Sequence, residues 1–470
     1  MSSLLTPVSH VRANGAKQKA PPADDELLID RTTFRDLEVF ESSGGAQSLF
    51  SFLNRTRTYG GSTALRNRLR RPWRSAARIA GVQDSLRFIR DHRELFGALP
   101  NEGTISALER YVHSGLPIIT TVNNFEWLLE ALEVRISEVK EYFHIRRGVE
   151  HTTHLIQRLH GLAVASQKAG VPGEVAMLLA EVTATSHDLV AAITSYKDHE
   201  DPSFRTVLRL DRRFRHDERP SIMRLMQLAF ELDALVALAD VMGLCGWTLP
   251  EIDEEHADLV ADGLYHPFLT EAIPNSLALR DPRRLLFLTG PNMAGKTTFL
   301  RSLGVSLYLA HIGMAVPARS LRFCPCDAFF TAVSVTDNLM QGISFFRAEA
   351  LRIKQIVAAT VDGQRVIAIM DEPFMGTNLK DAIDAADAVL GGLARSRYGQ
   401  FFVSSHLIEL AESLAGTDGV EFRHFEANEA EGTLSFDFVL RPGVSDQRLG
   451  MRVLREEGVI DLVDRIPRMS

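Results

Sequence analysis

Leu285-Leu286-Phe287-Leu288-Thr289-Gly290-Pro291-Asn292-Met293-Ala294-Gly295-Lys296-Thr297-Thr298 decides how the rest of this chain is read. A short apolar run ends in a glycine loop, and the loop ends in Lys-Thr. The stretch fits the phosphate-binding pattern G-x-x-x-x-G-K-[ST] at every fixed position. Glycines let backbone N–H groups turn inward around phosphate oxygens. Lys296 has the reach for the β- and γ-phosphates of a nucleotide, and the Thr297 hydroxyl suits Mg²⁺. Leu300, Leu303, Leu307 and Ala310 follow at helical spacing. A buried strand, a loop and a helix are therefore predicted in that order, with the positive end of the helix facing the anion.

Two more strand ends carry polar residues. Val366 to Met370 is a continuous apolar run, as in a parallel strand buried on both faces. It ends in Asp371-Glu372, 75 positions beyond Lys296. Ligands bind beyond the carboxyl ends of strands in open α/β sheets. Asp371 is thus a candidate to hold Mg²⁺, directly or through water, and Glu372 to polarise an attacking water. Alone, the pair would also suit the acidic start of a helix. Gln400 to Ser404 reads as a third strand, followed by Ser405-His406. His406 is a candidate sensor of a γ-phosphate; an isolated His is more often a cap or a core residue.

Together these pieces resemble the MutS family of mismatch-repair ATPases. Asn292-Met293 in the loop is particular to that family's version. Tyr265-His266-Pro267 and Ile273-Pro274-Asn275 resemble segments ahead of the family's loop. Gly313 to Ala318 and Phe329-Phe330-Thr331 resemble segments behind it, and Asp371 to Asn378 resembles its Walker B segment. More weakly, Asp36-Leu37-Glu38, Ser48-Leu49-Phe50, Leu53 to Thr56 and Thr63 to Pro72 resemble the start of the family's core domain. Ile222 to Met242 resembles the helix leading back to the ATPase.

The resemblance implies ATP and Mg²⁺ as ligands and a homodimer joined through the ATPase domains. Lys296, Glu372, His406 and Ser344 would be catalytic, and Thr297 and Asp371 would hold metal. Gly290 to Thr298, with Ile273 and Phe438, would contact the nucleotide. Ala272 stands where the family often places an aromatic. Ser344, in the segment Gly342 to Glu349, would act on ATP bound by the partner chain; from the residues alone it equally reads as a helix N-cap. The similarity begins near residue 33. The family's mismatch-reading and connector domains are therefore expected to be missing, the DNA clamp reduced or absent, and no nuclease-like domain to follow.

The expected fold is α + α/β: a disordered tail over 1–30, a helical core and lever domain over 31–255, and a P-loop, ABC-type ATPase domain over 256–470. The last would hold a mostly parallel sheet flanked by helices. Phe125 to Phe143 and Val149 to Ala165 show helical spacing, with Gly170 to Gly173 as a break, and Glu421 to Asp437 suggests a peripheral hairpin. Charged residues are 24% and apolar residues 45%, ordinary globular values, and the net charge of −8 does not advertise nucleic-acid binding. Distribution matters more. Arg55 to Arg74 holds seven Arg and no acid; Phe204 to Arg224, with Arg205 the first of its basic residues, holds seven Arg and three acids. Either segment could contact a phosphate backbone, or pair with acids in this chain or a partner.

Three cysteines indicate a reducing, cytoplasmic setting, and Cys324-Pro325-Cys326 reads as structural. No secretory signal is evident. Arg224, Glu231, Asp233 and Asp240 interrupt the apolar stretch 222–242, so a core helix rather than a membrane span is expected. The expected function is a dimeric ATPase coupled to DNA, structured or branched rather than mismatched. The alternative is a nucleotide-switched assembly ATPase that acts on a protein partner, with DNA irrelevant.

Overall fold

The computed structural model describes residues 25–42, 47–116, 118–119, 139–197, 203–333, 345–430, 433–445, 447, 458–464 and 466. From the N-terminus, β1 (Leu28–Ile29) and α1 (Arg31–Asp36) precede α2 (Leu49–Leu53), α3 (Tyr59–Leu69), α4 (Ala76–Asp91) and α5 (Glu102–Val112). α6 (Val139–Lys168), α7 (Gly173–Lys197), α8 (Phe204–Arg212) and α9 (Arg219–Cys245) complete the helical half. Six of these helices start at a side-chain cap: Asp30, Ser48, Thr58, Ser75, Asn101 and Ser203 each accept from the N–H three residues on.

α9 is the axis of this half. Pro220 stands in its first turn and Gly246 closes it with φ 63°. It is buried along most of its length, as a core helix requires. Its buried Asp233 is satisfied by Arg57 N, Thr58 N and Thr58 Oγ1 at 2.8–3.1 Å, which pins the start of α3. α6 and α7 form a hairpin about the expected break at 170–173, and α7 packs on α4, α6 and α9. Gly173 (φ 65°) is needed there, because a Cβ would lie 2.1 Å from Gly81 O. By length and composition, Gly173–Thr194 of α7 is the one described helix that could cross a membrane. The expected helix over 125–143 falls largely outside the described residues.

The second half runs β2 (Glu251–Ile252), β3 (Leu259–Leu264), β4 (Asn275–Leu279), β5 (Leu285–Thr289), α10 (Lys296–His311), β6 (Ser320–Phe323), β7 (Ala328–Ala332) and α11 (Phe345–Val361). Then come β8 (Val366–Asp371), α12 (Leu379–Ala394), β9 (Gln400–Ser404), α13 (Ile408–Leu414), β10 (Val420–His424), β11 (Ala427–Ala430), β12 (Thr433–Phe436), β13 (Arg441–Pro442) and α14 (Val459–Asp464). Seven strands form one sheet in the order β1-β7-β8-β9-β5-β10-β13, parallel except for β13. A four-stranded sheet, β2-β6-β3-β4, stands beside it.

Strand alternation divides the main sheet between two cores. Leu286, Leu288, Ile367, Ile369 and Phe402 face α10 and the core shared with the helical half. Leu285, Phe287, Ala368, Met370, Phe401 and Val403 face α11, α12 and α13. The three predicted strands and the helix after the loop all form.

Two expectations need correction. The tail expected over 1–30 is structured from residue 25. Leu27 and Ile29 are buried, and Leu28–Ile29 pairs in parallel with β7. The hairpin expected over 421–437 is only β11 with β12; Val420–His424 is an interior strand beside β5. Both errors have one cause. Edge and neighbour relations belong to the sheet order, and short segments carry no periodicity to reveal them.

Candidate nucleotide site

Parallel register brings three strand ends together. Ser404 at the end of β9 pairs with Leu288 of β5 on one side and Asp371 of β8 on the other. The glycine loop leaves β5 at this edge. Gly290 (φ 134°) and Gly295 (φ 104°) adopt backbone conformations that glycine favours, and Met293 follows at φ 70°. A Cβ on Gly290 would stand 2.6 Å from Phe425 O, so no other residue fits.

The Lys296 amine points back into the loop. It donates to Gly290 O (2.8 Å), Pro291 O (3.2 Å) and Asn292 Oδ1 (3.4 Å) and lies 3.7 Å from Glu372 Oε1. Burial draws its pKa down, against the nearby carboxylates of Glu372 and Asp371. Thr297 Oγ1 donates to Asp371 Oδ2 at 2.6 Å. Ser404 Oγ donates to the other Asp371 oxygen and accepts from Glu372 N at 3.2 Å.

After Asp371 the chain turns sharply, with Glu372 at φ 49° and Phe374 at φ 70°. Such conformations are costly for side chains larger than glycine and cluster at functional turns. This turn sets the Glu372 carboxylate between Lys296 and His406, whose Nδ1 lies 3.3 Å away. The His406 hydrogen bond holds the Glu372 carboxyl below its usual range, and the reciprocal bond raises the His406 imidazole. A cleft of about 560 Å³ opens here, lined by Asn292, Lys296, Thr297, Glu349, Asp371 and Glu372 among others.

A second cavity of about 400 Å³ adjoins it and shares Gly295, Thr298 and Phe438. Ile273, Ala272 and His266 line its far side. Asn275 braces it: Nδ2 donates to Ile273 O (3.2 Å) and Phe438 O (2.9 Å), and Oδ1 accepts from Leu440 N (2.7 Å). Phe438 (φ 54°) is thereby held over the loop, 3.2 Å from where a Gly295 Cβ would be.

The sequence-predicted residues Gly290 to Thr298, Asp371, Glu372 and His406 thus meet at one edge, and Ile273 and Phe438 meet beside it. Ser344, with Asp337 and Asn338, lies outside the described residues. Sequence reasoning assigned no role to Ser404, Asn275 or Glu349. Glu349 Oε2 accepts from Gly376 N at 3.2 Å and ties α11 to the turn after Asp371. A lone polar residue has no spacing to mark it.

The two Arg-rich segments are largely engaged within the chain. Arg68 pairs with Glu174, Arg71 with Glu26 and Arg74 with Asp327. Arg212 pairs with Asp217, Arg213 with Glu218, Arg215 with buried Asp211, and Arg224 with Glu181 and Glu231. Arg66 and Arg70 stack over Phe40. Cys324 and Cys326 are buried free thiols. Cys326 Sγ lies 3.3 Å from His311 Nε2, and burial takes that imidazole down to about 4. Among the described residues no group of three His, Cys, Asp or Glu is placed to share a metal ion.

Comparison with known proteins agrees with this layout. The family model for MutS domain III matches residues 32–239, and that for MutS domain V matches residues 286–465. The DNA mismatch repair protein MutS of Desulfovibrio desulfuricans is 34% identical over 251 residues, 52% of this chain and 27% of that protein. MutS of Oleidesulfovibrio alaskensis is 34% identical over 250 residues, 51% and 27%. MutS of Aquifex pyrophilus is 30% identical over 239 residues, 50% and 28%. The matched region therefore spans just over a quarter of the length of these relatives, 27–28%. This chain is a MutS-like protein that carries the MutS family's domain III followed by its domain V.

Proposed function

We propose that this chain is a Mg²⁺-dependent ATPase that works as a homodimer and couples ATP binding and hydrolysis to DNA. The supporting observation is the convergence of Lys296, Thr297, Asp371, Glu372 and His406 on one cleft at the carboxyl edge of a parallel sheet. ATP would lie with its phosphates in the larger cleft and its base in the adjoining cavity between Ile273 and Phe438.

Lys296 would exchange its loop carbonyls for β- and γ-phosphate oxygens. Thr297 and Asp371 offer only oxygen donors, 2.6 Å apart, a set that fits a hard cation such as Mg²⁺. When bound, that ion neutralises phosphate charge. Glu372 would polarise the attacking water, with its orientation set by His406. Ser344 would reach the partner's ATP. The MutS relatives are named for DNA mismatch repair, which favours DNA as the ligand; structured or branched DNA is the form proposed here.

The test is Glu372→Gln. ATP binding should stay within about threefold of wild type, while single-turnover hydrolysis falls by about 10²-fold or more. Near wild-type turnover would remove Glu372 from the chemistry.

One observation favours the second reading, an assembly ATPase with a protein partner: most arginines of the two basic segments are already engaged. Steady-state hydrolysis titrated with homoduplex, mismatched and four-way-junction DNA separates the two. Stimulation by junctions over homoduplex supports the DNA reading. Indifference to all three supports the protein-partner reading.

A further inference from the structure

α6 carries a basic stripe that the nucleotide site does not use. His144, Arg147, His151, His154 and Arg158 are spaced three, four, three and four residues apart, which places all five on one face of the helix. His144, Arg147, His154 and Arg158 are exposed and His151 is half-buried. Two acids of α6 flank the stripe: Glu141 stands three residues before His144, and Glu150, between Arg147 and His154, is taken by Arg146 at 3.2 Å. Among the described residues neither Arg147 nor Arg158 makes an ion pair. The local field registers on His151: burial, Arg147 and His154 all lower its pKa, against Glu150. Beside the stripe, a cleft of about 150 Å³ runs between α6 and the start of α5, lined by His151, His154, Arg158, Pro100 and Thr104.

In a chain of net charge −8 this strip is an exception. It rises about 21 Å from His144 to Arg158, roughly six phosphate steps along one strand of a duplex. Arginine forks suit phosphate oxygens, and the imidazoles add N–H donors.

We propose that this face of α6 is a contact surface for the sugar–phosphate backbone of duplex DNA. The inference rests on the reading of DNA as ligand given above and moves its contact surface from the two Arg-rich segments to α6. Contacts of this kind fix position without reading bases, and their strength falls steeply with salt.

The experiment is fluorescence anisotropy of the full chain with a labelled 30-base-pair duplex across a KCl series. Wild type is compared with Arg147→Glu/Arg158→Glu and with the neutral pair Arg147→Gln/Arg158→Gln. Arg395→Glu/Arg397→Glu, at the far end of α12, controls for net charge. Far-UV circular dichroism checks folding; the Gln pair decides if the Glu pair misfolds. The stripe predicts at least tenfold weaker binding for the Glu pair. It also predicts a slope of log K against log [KCl] shallower by about two, with the control within about twofold of wild type and basal ATP hydrolysis unchanged throughout. Equal binding by wild type and both stripe variants would overturn the surface and leave DNA as ligand. A wild type that ignores duplex even at low salt would overturn the surface; one that also ignores a labelled four-way junction would overturn DNA as ligand.

Discussion

Glu372 and His406 hold each other in opposite directions on the pH scale. The imidazole bond lowers the carboxyl from its ordinary 4.5, and the carboxylate raises the imidazole from its ordinary 6.5. The signs then follow. The His406 contribution to stability is complete below 6.5 and is lost as pH rises through its raised value. The Glu372 contribution is present above 4.5 and is lost as pH falls through its lowered value. The pair therefore works at mildly acidic to neutral pH. His406→Gln should lower the urea midpoint at pH 6 and leave it near wild type at pH 9. Equal deficits at both pH values would mean that packing, not charge, links the two residues.

At this scale the sequence was most readable where spacing is fixed. The loop pattern marked Lys296 and Thr297, and the buried run before Asp371-Glu372 marked the second strand end. Ser404 was unreadable because its bonds to Asp371 and Glu372 exist only once β9 lies between β5 and β8.

Among the elements, the N-terminal strap formed by β1 and α1 was the least expected. Buried Arg352 of α11 grips it: the guanidinium pairs with Asp30, donates to Thr33 Oγ1 at 2.9 Å and donates to Thr331 O at 2.7 Å. Asp36 accepts from Thr331 Oγ1 (2.8 Å) and Val333 N (3.0 Å), and Val333 lines the nucleotide cleft. A two-residue strand has no periodicity, and its partner β7 lies about 300 positions away, so local sequence could not reveal it. Arg352→Ala removes charged hydrogen bonds worth about 2 kcal/mol. Amide exchange in residues 27–36 should then quicken by about 30-fold with the rest of the sheet unchanged. Uniform acceleration would show that the strap unfolds only with the whole domain. The partners of the basic segments were hidden for a related reason: Glu174 and Asp327, which neutralise Arg68 and Arg74, come from distant parts of the chain.

Across the whole molecule, α10 is the shaft between the glycine loop and the helical half. Its first residues are Lys296 and Thr297. Near its far end Tyr308 donates its hydroxyl to Leu69 O, and His311 O accepts from Trp73 N at 2.7 Å. Just beyond, Gly313 (φ 74°) lies so close to α4 that a Cβ would sit 2.5 Å from Val82 Cβ. These contacts form a continuous packed route by which a displacement at the loop would reach α3 and α4. Tyr308→Phe leaves Leu69 O unpaired at a cost of about 1–3 kcal/mol. It should keep basal ATP hydrolysis while DNA stimulation falls; retained stimulation would assign the coupling elsewhere. For the shared site, Glu372→Gln with saturating ATP should double the mass seen by light scattering. An unchanged monomer would count against Ser344 acting across chains.

Among the described residues the main sheet ends, at both margins, in strands of two residues. β1 is flanked by Asp25, Glu26 and Asp30, and β13 contains Pro442, which has no N–H to offer. Neither margin gives another chain enough backbone to zip onto. In the proposed homodimer the two copies would then meet through side chains and loops rather than by continuing this sheet. Copy-to-copy continuation of the sheet into a fibre is disfavoured at both of these margins.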